Sequence, residues 1–228
     1  MKEEKAFVWP NLAFKEFLTA VAVTIVLIVW SLFINAPLLE VASPGRSENP
    51  SKAPWYFVGL QELLVYFDPW IAGVMIPTII IAGLILIPYI DNNNKGTAEY
   101  NFPARKFALI NFIAGFFIWW ALIFTGYFLR GANWQLYLPW QPLEAVKDVD
   151  NNLWCFNPVL GLISLFMYFG LGVLMPKLIA PEFYRRCGFA RYIITVALML
   201  LMYAVPVKIF LRLIFNIKYI LVTPWFNI

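Results

Sequence analysis

The chain has 228 residues, 62% of them hydrophobic and 13% charged, with a formal net charge of +4 and a mean hydropathy of +0.73. This composition excludes a water-soluble globular domain and identifies an integral membrane protein; no nucleic-acid partner is expected. There is no histidine and only two cysteines, so redox or metal chemistry served by this chain has to be completed by another subunit.

Four stretches are long enough to cross a hydrocarbon core of roughly 30 Å at about 1.5 Å per residue: Phe17 to Ile34, Ile71 to Ile90, Phe107 to Phe128 and Val159 to Pro176. A fifth, Tyr192 to about Phe210, is interrupted by Pro206 and Lys208 and reads as a kinked span or as a span followed by an interfacial helix. The fold class is therefore an all-α membrane protein of four to five transmembrane helices. The leader Met1 to Glu16 is charged, but the apolar run after it exceeds a signal-peptide core and lacks a small-residue cleavage site, so it reads as an uncleaved first helix. The longest gaps, Asn35 to Trp70 and Leu129 to Pro158, are too short for a soluble domain, which leaves one membrane domain.

With the N-terminus cytoplasmic, the inner segments carry Lys2, Lys5, Lys15, Lys95, Arg105, Lys106, Lys177, Arg185, Arg186 and Arg191. The outer segments carry Arg46, Lys52, Arg130, Lys147, Lys208, Arg212 and Lys218, so the basic excess lies inside, as the orientation rule for short loops requires. Cys155 and Cys187 then fall on opposite sides and cannot bridge. The four firm spans contain no Asp, Glu, Lys, Arg or His, which argues against an ion-coupled carrier, since a coupling ion or proton needs an ionisable partner at mid-membrane. Their glycines and the Trp119-Trp120 pair, set near mid-span rather than in the interfacial belt, call for a packing partner within the membrane.

The first outer loop, Asn49 to Glu62, is the most informative stretch. Pro50 and Pro54 impose extended backbone before a short interfacial helix that runs from Trp55 through Gln61 and Glu62 to about Phe67; Asp68, Pro69 and Trp70 then open the next span. Trp55, Gly59, Glu62 and Tyr66 share one face of this helix, offering an aromatic plate, a gap, a carboxylate and a phenol that suit a flat quinone ring with a proton acceptor beside it. The same spacing also suits an interfacial helix anchored by aromatics.

The stretch from about Trp9 to Gly131 resembles the C-terminal part of cytochrome b, the piece that forms subunit IV of the cytochrome b6f complex. In that family the loop between the first two helices carries a Pro-Glu-Trp-Tyr motif that borders the quinol oxidation site; here the residues are Ala53, Pro54, Trp55 and Tyr56. The flanking Asn49-Pro50 and Phe57, the exit Pro88-Tyr89-Ile90-Asp91, and the entry Phe102-Pro103-Ala104-Arg105 are also similar. The later Phe128-Leu129-Arg130-Gly131-Ala132-Asn133-Trp134 with Pro139-Trp140 resembles a variant of some bacterial relatives.

The resemblance implies a quinol-site subunit of a bc-type quinol:cytochrome c oxidoreductase, inactive alone, in a bacterial inner membrane. Residues 1–131 correspond to the subunit IV-like region, and 132–228 add an outer loop and one to two further membrane helices. Two b-haems are expected in a separate N-terminal-type cytochrome b subunit. A Rieske iron-sulfur protein, a c-type cytochrome, lipid and a dimeric multisubunit complex complete the expected partners. Quinol binding falls to Ala53, Pro54, Trp55, Gly59 and Tyr66. Pro54 replaces the family glutamate, so the catalytic candidates are Glu62, as proton acceptor, and Tyr56, as a hydrogen-bonding group. A carboxylate shielded from water holds its proton more readily, as a group that alternates between base and acid must. Asp68 is a second candidate, read more simply as a helix-boundary residue. The alternative is a structural membrane anchor that has lost quinol chemistry.

Overall fold

The computed structural model describes residues 7–35, 41–45, 47–93, 101–142, 152–225 and 227–228. Lys2, Lys5, Arg46, Lys95 and Lys147, which enter the charge asymmetry above, lie outside the described residues. The chain divides into two compact units, Met1–Ser47 and Glu48–Ile228.

The first unit is a π-helical turn, Val8–Leu12, leading into α1, Ala13–Phe33. No Pro or Gly interrupts α1, and its few hydroxyls are satisfied internally: Thr19 and Thr24 donate to the carbonyls of Lys15 and Ala20. A span in hydrocarbon needs this, since no water is there to take the donors.

The second unit contains the short helix α2 (Trp55–Leu63), then α3 (Ile76–Ile90) entered through a π-helical turn at Ile71–Met75, and α4 (Phe102–Phe124) prolonged by a π-helical turn at Thr125–Leu129. There follow α5 (Pro158–Ile179), the short α6 (Pro181–Cys187) and α7 (Phe189–Phe215). Two starts are set by side-chain caps that take up an otherwise unpaired amide: Asn101 accepts from Ala104 N, and Asn157 from Val159 N. Among the described residues the sheet content is a two-stranded parallel pair, β1 (Trp154–Cys155) with β2 (Ile217–Tyr219).

Among the described residues, and with α1 counted together with its preceding turn, five helices are long and apolar enough to cross a membrane: Val8–Phe33, Ile71–Ile90, Phe102–Leu129, Pro158–Ile179 and Phe189–Phe215. The protein is thus an all-α membrane protein, and the fifth segment proves to be one unbroken helix. Pro206 is absorbed within it. Lys208 interrupts nothing because its ammonium reaches out of the helix to donate to the Lys218 carbonyl at 2.8 Å, leaving the side chain buried.

Helix α7 is the hub of the second unit, with α3, α4, α5 and α6 packed on it, while α2 lies on α4. The buried core forms where the end of α2 meets α4 and α7, from Leu63, Tyr66, Phe67, Ile71, Leu122 and Val205. Between α3, α4 and α7 runs a cavity of about 2210 Å³ with apolar walls that include Ile80, Leu84, Phe112, Leu198 and Met202. One end of the unit carries α2, the 129–142 segment and β2; the other carries Asp91 to Asn93, the start of α4, and α6. Contacts at each end fix this arrangement, such as the Asn49–Asn133 pair at one and Asn92 on the Arg186 carbonyl at the other.

Candidate functional site

Pro54 sits immediately before α2 in extended geometry (φ −50°, ψ 148°), and its carbonyl accepts from the amides of Phe57 and Val58. A proline here wastes no donor, because the residue before a helix has no helical acceptor for its amide. The extended run leading to it is held by Gln61, which accepts from Ala53 N at 2.8 Å and donates to the Ser51 carbonyl at 2.9 Å. One side chain of α2 therefore fixes the approach to α2.

The helix is two-faced. Val58, Gly59, Glu62 and Leu63 are buried, whereas Trp55, Tyr56 and Phe57 on the first turn are 58%, 52% and 54% exposed. Gly59 lies where a Cβ would stand 3.3 Å from Ile123 and 3.5 Å from Trp119, so the gap expected to take a ring instead takes α4. Gly126, in the turn that prolongs α4, comes as close from the other side: a Cβ there would be 3.1 Å from the Val58 carbonyl. Trp119 thus finds its packing partner in α2. Trp120 finds Trp55, whose ring stacks on it at 6.4 Å and 18°. Tyr56 stands edge-on to Trp55 at 5.7 Å, its phenol ring half exposed.

Glu62 is completely buried, and donors surround both its oxygens. Arg130 grips it with two nitrogens, Nε to Oε2 at 2.8 Å and Nη2 to Oε1 at 2.6 Å; Tyr66 donates to Oε1 at 2.9 Å and Trp134 Nε1 to Oε2 at 3.2 Å. Arg130 is itself 5% exposed. The paired geometry is the planar fork that makes guanidinium the usual partner of a buried carboxylate. Burial works against the charge on Arg130, but the hydrogen bond and charge of Glu62, with Tyr66, hold the guanidinium more firmly protonated than usual. Burial and the neighbouring Glu62 charge push the Tyr66 phenol well above its ordinary range, so it stays a donor.

Sequence reasoning placed Glu62, Tyr66 and Gly59 on one face, and the structure brings them together there; Trp55 and Tyr56 stand apart, at the open end of the helix. It gave no site role to Arg130, which entered the charge asymmetry and the Phe128 to Trp134 resemblance alone, nor to the 129–134 segment around it. That segment is bound to α2 and its approach at several points. Asn133 N donates to Asn49 Oδ1 at 2.7 Å and Asn49 Nδ2 to Asn133 Oδ1 at 2.8 Å; Lys52 donates to the Tyr127 carbonyl at 2.6 Å. Asn133 and Trp134 both adopt left-handed backbone, φ 54° and 55°, which costs energy for a side chain as large as tryptophan. The conformation is held at both ends of Trp134, by its indole on Glu62 and by Arg130 Nη1 on its carbonyl at 2.9 Å. The legible signal was charge balance: a lone arginine where a span ends, beside a lone carboxylate on a buried helix face. Asp68 behaves as a boundary residue, its Oδ1 accepting from Trp70 N at 3.0 Å.

Residues 42–127 match the protein family described as Cytochrome b(C-terminal)/b6/petD. Among curated relatives, a menaquinol:cytochrome c reductase cytochrome c subunit of Geobacillus thermodenitrificans is 22% identical over 149 residues, covering 63% of this chain and 57% of that protein. The protein of the same description from Bacillus subtilis (strain 168) is 26% identical over 149 residues, covering 63% and 56%. The chain thus spans a little over half the length of the curated relatives it matches. No solved structure matches.

Proposed function

We propose that this chain, whose residues 42–127 match the cytochrome b C-terminal family, is a non-haem-ligating part of a quinol:cytochrome c oxidoreductase and supplies half of its outer-side quinol oxidation site. The observation that carries this reading is the first turn of α2, where Trp55 and Tyr56 stand exposed on a backing fixed from behind. Such an aromatic corner offers a flat ring a stacking surface and a hydroxyl, and it is open on the side where a second subunit would close it. Ala53 and Pro54 border the corner, while Gly59 and Tyr66 support it. The two relatives are described as menaquinol:cytochrome c reductase subunits, which makes menaquinol the quinol of choice.

A bis-histidine haem finds no ligand in a chain without histidine, so the b-haems belong to a separate cytochrome b N-terminal-type subunit. A Rieske iron-sulfur protein and a c-type cytochrome complete the electron path, in a dimeric complex of a bacterial inner membrane with the N-terminus of this chain cytoplasmic.

Two readings of Glu62 differ in outcome. As the proton acceptor, it receives the quinol proton through the Tyr66 hydroxyl, which takes up one proton as it passes its own to the carboxylate it touches. As the counter-charge of Arg130, it stays outside the proton path and Tyr56 is the group that faces quinol. The filling of both its oxygens by four donors favours the second.

The test is menadiol oxidation by the purified complex, with reduced-minus-oxidised b-haem spectra and outer-site quinone analogues. Altering Trp55 and Tyr56 is expected to weaken turnover and inhibitor binding together. Intact, inhibitor-insensitive turnover in those variants overturns the reading in favour of a structural anchor.

A further inference from the structure

The ion pair at the back of α2 has no counterpart among the groups expected to face quinol, yet it is almost fully enclosed. Glu62 and Arg130 are 0% and 5% exposed. Burying two charges is expensive and is recovered only with near-ideal geometry and full hydrogen bonding, both of which are met here. A pair of this kind is seldom the best way to gain stability, since apolar side chains of similar volume do as well. Its advantage is that it fits in one register only.

That register is what α2 needs. A helix of nine residues is too short to be stable alone, and its apolar side could slide or roll on α4. Gly59 and Gly126 allow close approach but fix no axial position. Arg130 does, because its carboxylate partner lies on α2 and its own backbone continues the third span. The Trp134 backbone is held in its left-handed conformation by the same arginine and the same carboxylate. The exposed Trp55-Tyr56 corner begins seven positions before Glu62, on the same rigid element, so its placement follows from the pair.

We propose that Arg130 is a positioning residue for the quinol corner: its two-pronged bond to Glu62 sets the register of α2 on the third span and so the placement of Trp55 and Tyr56. The inference rests on the quinol-site reading above, and its test separates the two.

In the whole complex, menadiol oxidation is measured across pH for wild type, Arg130→Gln, Arg130→Lys, Glu62→Gln and the double variant Arg130→Gln/Glu62→Gln. Each single Gln variant leaves one buried charge without its partner, whereas the double variant leaves two neutral amides of suitable size. A misplaced site is expected to lose about a hundredfold in kcat/KM. Arg130→Gln should show a loss of that order with the limbs of its pH profile unmoved. Arg130→Lys, which cannot form the fork, should be intermediate. The double variant should recover to within about tenfold of wild type.

Normal kcat/KM in Arg130→Gln overturns the proposal. So does a double variant as impaired as Glu62→Gln with a pH limb lost from both, because Glu62 then handles the proton itself. Where Arg130→Gln fails to assemble, the double variant decides: assembly with recovered turnover supports the proposal and assembly without it overturns it, as does a double variant that fails to assemble. A wild-type complex that does not oxidise menadiol sinks the quinol reading instead.

Discussion

Arg130 and Glu62 are 68 positions apart, and neither is remarkable in the sequence until the other is beside it. Removing one member of a buried pair typically costs about 3–5 kcal/mol, because the survivor is left charged in a dry site. Arg130→Gln is therefore expected to lower the thermal midpoint of the complex clearly. The double neutral variant should regain most of the loss, as read by a melting curve in detergent. At the opposite end of the unit, Arg105 pairs with Asp91 in more open surroundings. Burial pushes the Asp91 carboxyl up, but the Arg105 hydrogen bond, the Asn93 amide and the Arg105 charge outweigh it, and the group sits below its ordinary value of 3.8. A lowered acid contributes stability above its unfolded value and loses it as pH falls through the folded one. Stability should thus decline below about pH 4, and Asp91→Asn should flatten that acid limb by a small amount, since the pair is partly solvated. At this scale the sequence told most about Pro54, Glu62 and Tyr66, whose roles depend on near neighbours. It told least about Arg130, Asn133 and Trp134, whose roles depend on a partner that only folding brings into range.

Among the elements, the spans were legible because about twenty apolar residues without charge have few alternatives in a bilayer. Their ends were less so: the third begins at Phe102 and the fifth at Phe189, each several residues before the apolar run that announced it. Those added turns carry polar side chains that bind at the boundary, as Arg105 does. The fifth span looked doubtful because Pro206 and Lys208 were judged as interruptions, whereas the lysine is long enough to leave the helix and bind β2. Helix α2 was legible in position but not in docking, since nothing local says that Gly59 meets Trp119 or that Gly126 meets the Val58 carbonyl. The docking can be probed directly. Gly126→Val should displace α2 and cost about 1–3 kcal/mol by overpacking, with quinone-analogue affinity falling alongside the melting temperature. An unchanged affinity in a folded Gly126→Val complex would mean that α2 is not held by this approach.

Within the second unit, α7 collects α3, α4, α5 and α6, and two native cysteines mark its ends. Cys155 lies in β1 beside the strand that follows α7, and Cys187 closes α6 just before α7 begins. In sealed inverted and right-side-out vesicles, an impermeant maleimide should modify Cys155 from the outer face and Cys187 from the inner face. Cys187 should react more slowly, because burial pushes its thiol up despite the charge of Arg191. Labelling of both from one face would contradict the arrangement of the unit.

The space between α3, α4 and α7 bears on a different matter, the freedom of the sequence to vary. Along α3 and the middle of α4 its walls are apolar like the lipid tails, so a side chain that grows into it there trades one hydrocarbon contact for another. Around Gly59 and Gly126 there is no such latitude, because a single added methyl already crowds a neighbour. Libraries that randomise residue size should therefore return many functional variants along Ile80, Leu84 and Phe112 and few beside α2. Selection for an altered ligand at the proposed site would do best to spare that docking seam and vary the open corner instead.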